Sequence, residues 1–202
     1  MKKTAILFLL ALAMFSCNKS ENANNSQART EAALDVIKTR VSVRHFTGEK
    51  LTDAQIDTIL RAGMSAPTAV NKQPWAFVVV DDPETLMLLS DTLKSSRIEN
   101  GASHAIAVCG NLQKALEGEG QGYWVEDTSA ATENMLLAAH AMGLGGLWVG
   151  VYPISERVKS VSEILGLPNH IIPMCLVVLG YPNEQPEVKD KFLQENIHYN
   201  KW

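Results

Sequence analysis

The stretch from Tyr123 to Met142 constrains the fold more than any other. It reads as the longest regular element, a helix in which Ala130, Ala131, Asn134, Leu137, Ala138 and Ala141 keep small or modest side chains on adjoining faces. Small side chains let another backbone approach closely, so this helix is expected at the centre of the molecule. Around it the pattern alternates. Thr30 to Thr39 has helical spacing (Ala33, Val36, Ile37), and Thr52-Asp53-Ala54-Gln55 has the form of a capping box opening a helix. Ile56, Ile59, Leu60 and Met64 share one face of that helix, and Pro67 ends it. Trp75 to Val80 reads as a buried strand, Pro83 to about Leu93 as a helix and His104 to Cys109 as a strand. Glu117 to Gly122 reads as a loop, Ser155 to Leu165 as a helix and Met174 to Leu179 as a strand. Strands and helices in this order predict one α+β domain without internal repeats. With 46% apolar and 20% charged residues in 202, the chain can bury one substantial core.

The first 17 residues stand apart. Lys2 and Lys3 precede an apolar run from Ala5 to Phe15 that is too short to span a bilayer and is laid out as a secretory signal peptide. Met14-Phe15-Ser16-Cys17 resembles a bacterial lipobox, with Cys17 as the residue to be lipidated; an ordinary secreted protein cut nearby, or an uncleaved apolar start, is the alternative. Residues 18–30, rich in Asn, Ser, Gln and Ala, read as a flexible tether, and 31–202 as the folded domain with a C-terminal arm. The expected location is therefore outside the inner membrane, facing the periplasm or at the cell surface, held through a lipid anchor only. Cys109 and Cys175 lie in apolar strand-like runs and read as core thiols. The net charge of −4 gives no sign of nucleic-acid binding, and five scattered histidines offer no metal-ligand spacing.

Two short stretches carry chemistry. Arg40-Val41-Ser42-Val43-Arg44 puts two guanidinium groups and a hydroxyl at alternate positions, where extended or turning backbone can aim all three at one phosphate. Pro67-Thr68-Ala69-Val70-Asn71-Lys72-Gln73-Pro74-Trp75 offers the amides of Asn71 and Gln73 in a proline-bounded loop, suited to the polar edge of a ring system. Together they predict a nucleotide-like cofactor bound without a glycine-rich phosphate loop. Gly143-Leu144-Gly145-Gly146 follows a helix instead of a strand, the reverse of the dinucleotide fingerprint. Gly143 is expected as the helix cap, and Gly145 and Gly146 as a place where backbone N–H groups reach a flat cofactor edge. Lys189 and Lys191 alternate in the tail and could complete the phosphate site or stay solvated. Ser42 has no His and acid partners for a hydrolytic triad. The tail from Gly180, with Tyr199 and Trp202 at its end, is expected to lie across something, such as a partner subunit; a frayed end with incidental aromatics is the alternative.

From residue 34 onward the chain resembles the nitroreductase family of FMN-dependent oxidoreductases. Four segments match in order: Arg-x-Ser-x-Arg at 40–44, the Pro67–Trp75 loop, Gly-Leu-Gly-x-x-Trp at 143–148, and the basic tail ending His198-Tyr199-Asn200-Lys201-Trp202. The resemblance implies a nitroreductase-like fold with a mixed central sheet flanked by helices, and a domain-entwined homodimer with FMN at the subunit interface. Carried over by position, Arg40, Ser42, Arg44, Lys189 and Lys191 would hold the phosphate and ribityl end. Pro67, Thr68, Asn71 and Gln73 would border the flavin, and Gly145 and Gly146 would lie beside the ring. The implied activity is ping-pong two-electron reduction of nitroaromatic, quinone or similar conjugated acceptors, with no side chain as nucleophile. The donor would be NAD(P)H or, given the leader, a membrane or periplasmic redox partner. A lipid-anchored FMN carrier without turnover and a flavin-consuming or dehalogenating relative are the alternatives.

Overall fold

A computed structural model describes residues 25–202. The leader, Cys17 and the first part of the expected tether lie outside the described residues. The chain divides into two units, Met1–Thr39 and Arg40–Trp202. In the first, α1 spans residues 25–39, so the stretch 25–30 assigned to the tether is helical. Gln27 donates to Glu31 across one turn of it at 2.9 Å.

The second unit holds α2 (Asp53–Met64), β1 (Trp75–Val80), α3 (Pro83–Thr92), β2 (His104–Asn111), α4 (Trp124–Ala141), β3 (Gly145–Gly150), α5 (Ser155–Leu165) and β4 (Ile171–Gly180). The strands form one sheet in the order β1-β2-β4-β3. All three ladders are antiparallel, where the family resemblance implied a mixed sheet. The parallel element is an isolated bridge between Ser42 and Gly146. Alternation along the strands sends side chains to two cores. Ala105, Ala107, Val149, Leu176 and Val178 meet Leu89 of α3 and Val161 of α5. Ile106, Val108, Val177 and Leu179 meet Ile59 of α2 and Met135 of α4.

Helix α4 has Ala131 and Ala139 fully buried; of the other small residues named from sequence, Ala130, Asn134 and Ala138 are half-buried and Ala141 is exposed. The close approach depends equally on α2, where a Cβ on Gly63 would come within 2.8 Å of Met135. Asn134 Nδ2 then donates to the Ala62 carbonyl at 3.1 Å. The predicted capping box forms, with Gln55 N–H donating to the Thr52 hydroxyl and Thr52 N–H to the Gln55 side chain. Met64, expected on the buried face, is 51% exposed, and Gly63 takes the inward position. The stretch from Glu117, expected as a loop, is wound as a 3-10 turn over Gly118–Tyr123. Gly143 adopts φ 73° after α4, as its capping role requires.

Candidate functional site

Strand β3 is at the edge of the sheet, so one of its sides is not covered by a ladder. The segment Arg40–Arg44 runs alongside that side: Val43 N–H donates to the Gly146 carbonyl at 3.1 Å, and Ser42 bridges Gly146. Since backbone groups alternate along a strand, Trp148 and Gly150 turn their peptide groups the same way as Gly146. The Gly150 carbonyl accepts from Arg157 Nη1 at 2.8 Å, in keeping with that direction. The bridge thus places Arg40, Ser42 and Arg44 next to a row of outward backbone donors. Gly150 was not picked out from sequence, and Trp148 only as the end of the Gly-Leu-Gly-x-x-Trp motif; the pairing of β3 shows that their backbones face the open edge.

Within the segment the two arginines are held differently. The Arg40 side chain is 18% exposed and pairs with Glu133 of α4, Nε to Oε1 3.4 Å. The Arg44 side chain is exposed, with Nη1 3.4 Å from the Ser42 carbonyl. Its backbone is fastened. Arg44 N–H and His45 N–H both donate to Glu184 Oε1, at 2.5 and 3.2 Å. Asn100 Nδ2 donates to the Arg44 carbonyl at 2.9 Å, and Asn183 N–H to the His45 carbonyl at 2.9 Å. Glu184 and Asn100 lie far along the chain, and neither carries a local sequence signal.

The two glycines are closely packed on their side-chain faces. A Cβ on Gly145 would come within 2.8 Å of Val43 and 3.0 Å of Phe46, and one on Gly146 within 2.9 Å of Leu136. Both are buried, and their smallness is spent on packing the Arg40–Phe46 segment and α4 against β3.

The loop from Pro67 to Pro74 is strained. Val70, Asn71 and Gln73 have φ of 41°, 57° and 50°, values that cost L-residues energy, above all a β-branched one. The strain is held by fixed hydrogen bonds. Buried Asp127, in the first turn of α4, accepts from Ala69 N–H at 2.8 Å. The Thr68 hydroxyl accepts from Gln73 N–H at 3.0 Å, and Gln73 Nε2 donates to Asn71 Oδ1 at 3.1 Å. Pro67, Asn71 and Gln73 are exposed and Thr68 is half-buried, so the loop presents amides to the outside. Asp127 is a further residue that sequence reading missed.

Lys189 and Lys191 lie on the exposed arm. The chain is fastened to the arginine segment as far as Glu184, and no described hydrogen bond or ion pair carries the lysines to it. Further along, Phe192, Tyr199 and Trp202 are 67%, 79% and 100% exposed. Cys109 and Cys175 are buried on opposite faces of the sheet and unpaired with each other, and burial pushes each thiol up to about 12.

The cofactor fit can be judged on these features. Two guanidinium groups and a hydroxyl suit a phosphate, while outward peptide groups of an edge strand and a polar loop suit the rim of a heteroaromatic ring. The donor set fits a flavin mononucleotide.

Comparison with known proteins agrees. The nitroreductase family model matches residues 37–120 and 100–181. An Archaeoglobus fulgidus protein named for NADH dehydrogenase and NAD(P)H nitroreductase activity is 42% identical over 175 residues, covering 85% of this chain and 99% of the relative. A crystal structure of a similarly named Bacteroides thetaiotaomicron protein superposes with a TM-score of 0.79 at 40% identity, covering 85% of this chain and 98% of that one. A Desulfovibrio desulfuricans protein named as a nitroreductase, crystallised in complex with FMN, superposes with a TM-score of 0.71 at 28% identity, covering 84% and 97%. The chain belongs to the nitroreductase family.

Proposed function

We propose that this protein is an FMN-dependent oxidoreductase that passes two electrons from NAD(P)H, or in the cell from a membrane or periplasmic redox partner, to a nitroaromatic, quinone or similar conjugated acceptor. The observation that supports the reading is the Ser42–Gly146 bridge, which runs the Arg40–Arg44 segment, the expected phosphate clamp, along the open edge of β3. FMN is the cofactor, and when bound it supplies the hydride chemistry, accepting from the donor and returning to the acceptor.

The chain's own residues bind and orient. Arg40, preset by Glu133, and Arg44, on backbone fixed by Glu184 and Asn100, would hold the phosphate; Ser42 would add a hydroxyl. The Trp148 and Gly150 peptide groups would meet the ring edge, where fixed dipoles stabilise negative charge without reorganising. Asn71 and Gln73 stand on a loop held rigid before any ligand arrives, which lowers the ordering cost of binding. No serine, cysteine or histidine is needed as nucleophile. The exposed aromatic arm supports a homodimer in which Lys189 and Lys191 reach the partner's clamp. Lys2-Lys3, the apolar run and Ser16-Cys17 support export and lipid anchoring at Cys17, with a donor outside the cytoplasm in the cell.

The test is an anaerobic titration of FMN-loaded protein. NADH or NADPH should bleach the flavin band, and a quinone or nitroaromatic should restore it. Flavin that binds but does not cycle would favour a carrier instead.

A further inference from the structure

A cavity of about 440 Å³ lies in the second unit and shares no lining residue with the arginine segment or the Pro67–Pro74 loop. That size is ordinary for a small-molecule site. Its apolar wall includes Trp124, Tyr152, Val158 and Ile172, and its polar positions include Ser155 and Lys159. The two aromatic rings meet edge to face, with centroids 4.9 Å apart and planes at 67°. The Trp124 indole is fixed from behind by Gly110, where a Cβ would stand 2.2 Å from the ring. A rigid aromatic corner of this kind favours a flat ring over a flexible aliphatic chain.

The surroundings indicate that the corner is meant to be covered. Tyr152 is 41% exposed, and Tyr123 and Ile154, each next in sequence to a wall residue, are 48% and 47% exposed. Exposed apolar side chains are thus gathered in two of the segments that line the cavity. Its charge is one-sided: Lys159 reaches Glu163 only at 4.0 Å, and no carboxylate lines the cavity.

We propose that this cavity binds a flat aromatic ring carrying an anionic group, with the ring against Trp124 and Tyr152 and the anion at Lys159, as a site separate from the cofactor clamp. The proposal does not depend on turnover. It is tested by calorimetric titration of the full-length, FMN-loaded protein with naphthalene-2-sulfonate and with its neutral counterpart naphthalene-2-methanol, both redox-inert. Both should bind, the sulfonate about threefold tighter, as befits one exposed charge pair. Lys159→Gln should erase the difference, and Ser155→Trp, a change at an exposed position, should remove binding of both while flavin content and unfolding temperature hold. A lack of heat from either compound would overturn the proposal, as would binding that survives Ser155→Trp. Flavin content is read separately, so loss of the cofactor reading would be recognised on its own.

Discussion

Arg40 and Arg44 illustrate two ways of presenting a guanidinium. One is half-buried and already paired; the other is exposed on a backbone that its neighbours immobilise. Replacing either with alanine should cost about 2 kcal/mol of FMN binding, roughly thirtyfold, which fluorescence titration of flavin would measure. His104 sets a pH limit on stability. Burial lowers its pKa below the ordinary 6.5, with Lys50 adding to the effect and Asp81 and Asp53 opposing it. As pH falls through 6.5 the unfolded chain takes up a proton that the folded chain refuses, so stability declines from there toward the lower folded value. Urea midpoints should therefore fall between about pH 7 and pH 5.5, and His104→Leu should flatten that slope. Cys109 and Cys175, raised to about 12 by burial, should stay unmodified by a thiol reagent in the native protein and react after denaturation, as peptide mapping would reveal. The chemistry of these side chains was largely legible in the sequence, but their geometry was not. Asn71 and Gln73 announce polar recognition by type; their left-handed backbone depends on Asp127, 58 residues beyond Ala69.

Elements with strong local signals were readable to their ends. β1 runs from Trp75 to Val80 and α5 from Ser155 to Leu165, as the apolar run and the helical period predict. The antiparallel sheet was not readable, because strand direction is decided by pairings distant in sequence, and β4 extends to Ile171 because β2 is there to pair with it. The same dependence explains the two glycines of β3. Gly145→Ala would push a methyl group into Val43 and Phe46, costing about 1–3 kcal/mol by overpacking. Because those residues belong to the clamp segment, flavin affinity should fall along with the unfolding temperature. Thr52→Ala is the control for a change outside the Arg40–Arg44 segment. It should cost about 1 kcal/mol through loss of the α2 cap and leave flavin affinity unchanged.

At the scale of the whole molecule, the exposed arm stands out. Val188, Phe192, Leu193, Tyr199 and Trp202 are all exposed, a concentration of apolar surface that a folded chain normally covers. Light scattering should give twice the mass of one chain, and removing residues 188–202 should shift the protein toward monomer and weaken FMN binding together. The sequence suggests an arm lying across something such as a partner subunit, and the fastening of its root at Glu184 to the arginine segment would link assembly to cofactor binding. The most direct test of the cofactor site is a flavin titration of the intact protein beside its Arg40→Ala and Arg44→Ala forms. Stoichiometric FMN binding that weakens in both variants, with the fold retained, is the predicted result. Failure of the parent protein to bind flavin, or equal affinity in all three, would contradict the placement of the phosphate at Arg40–Arg44.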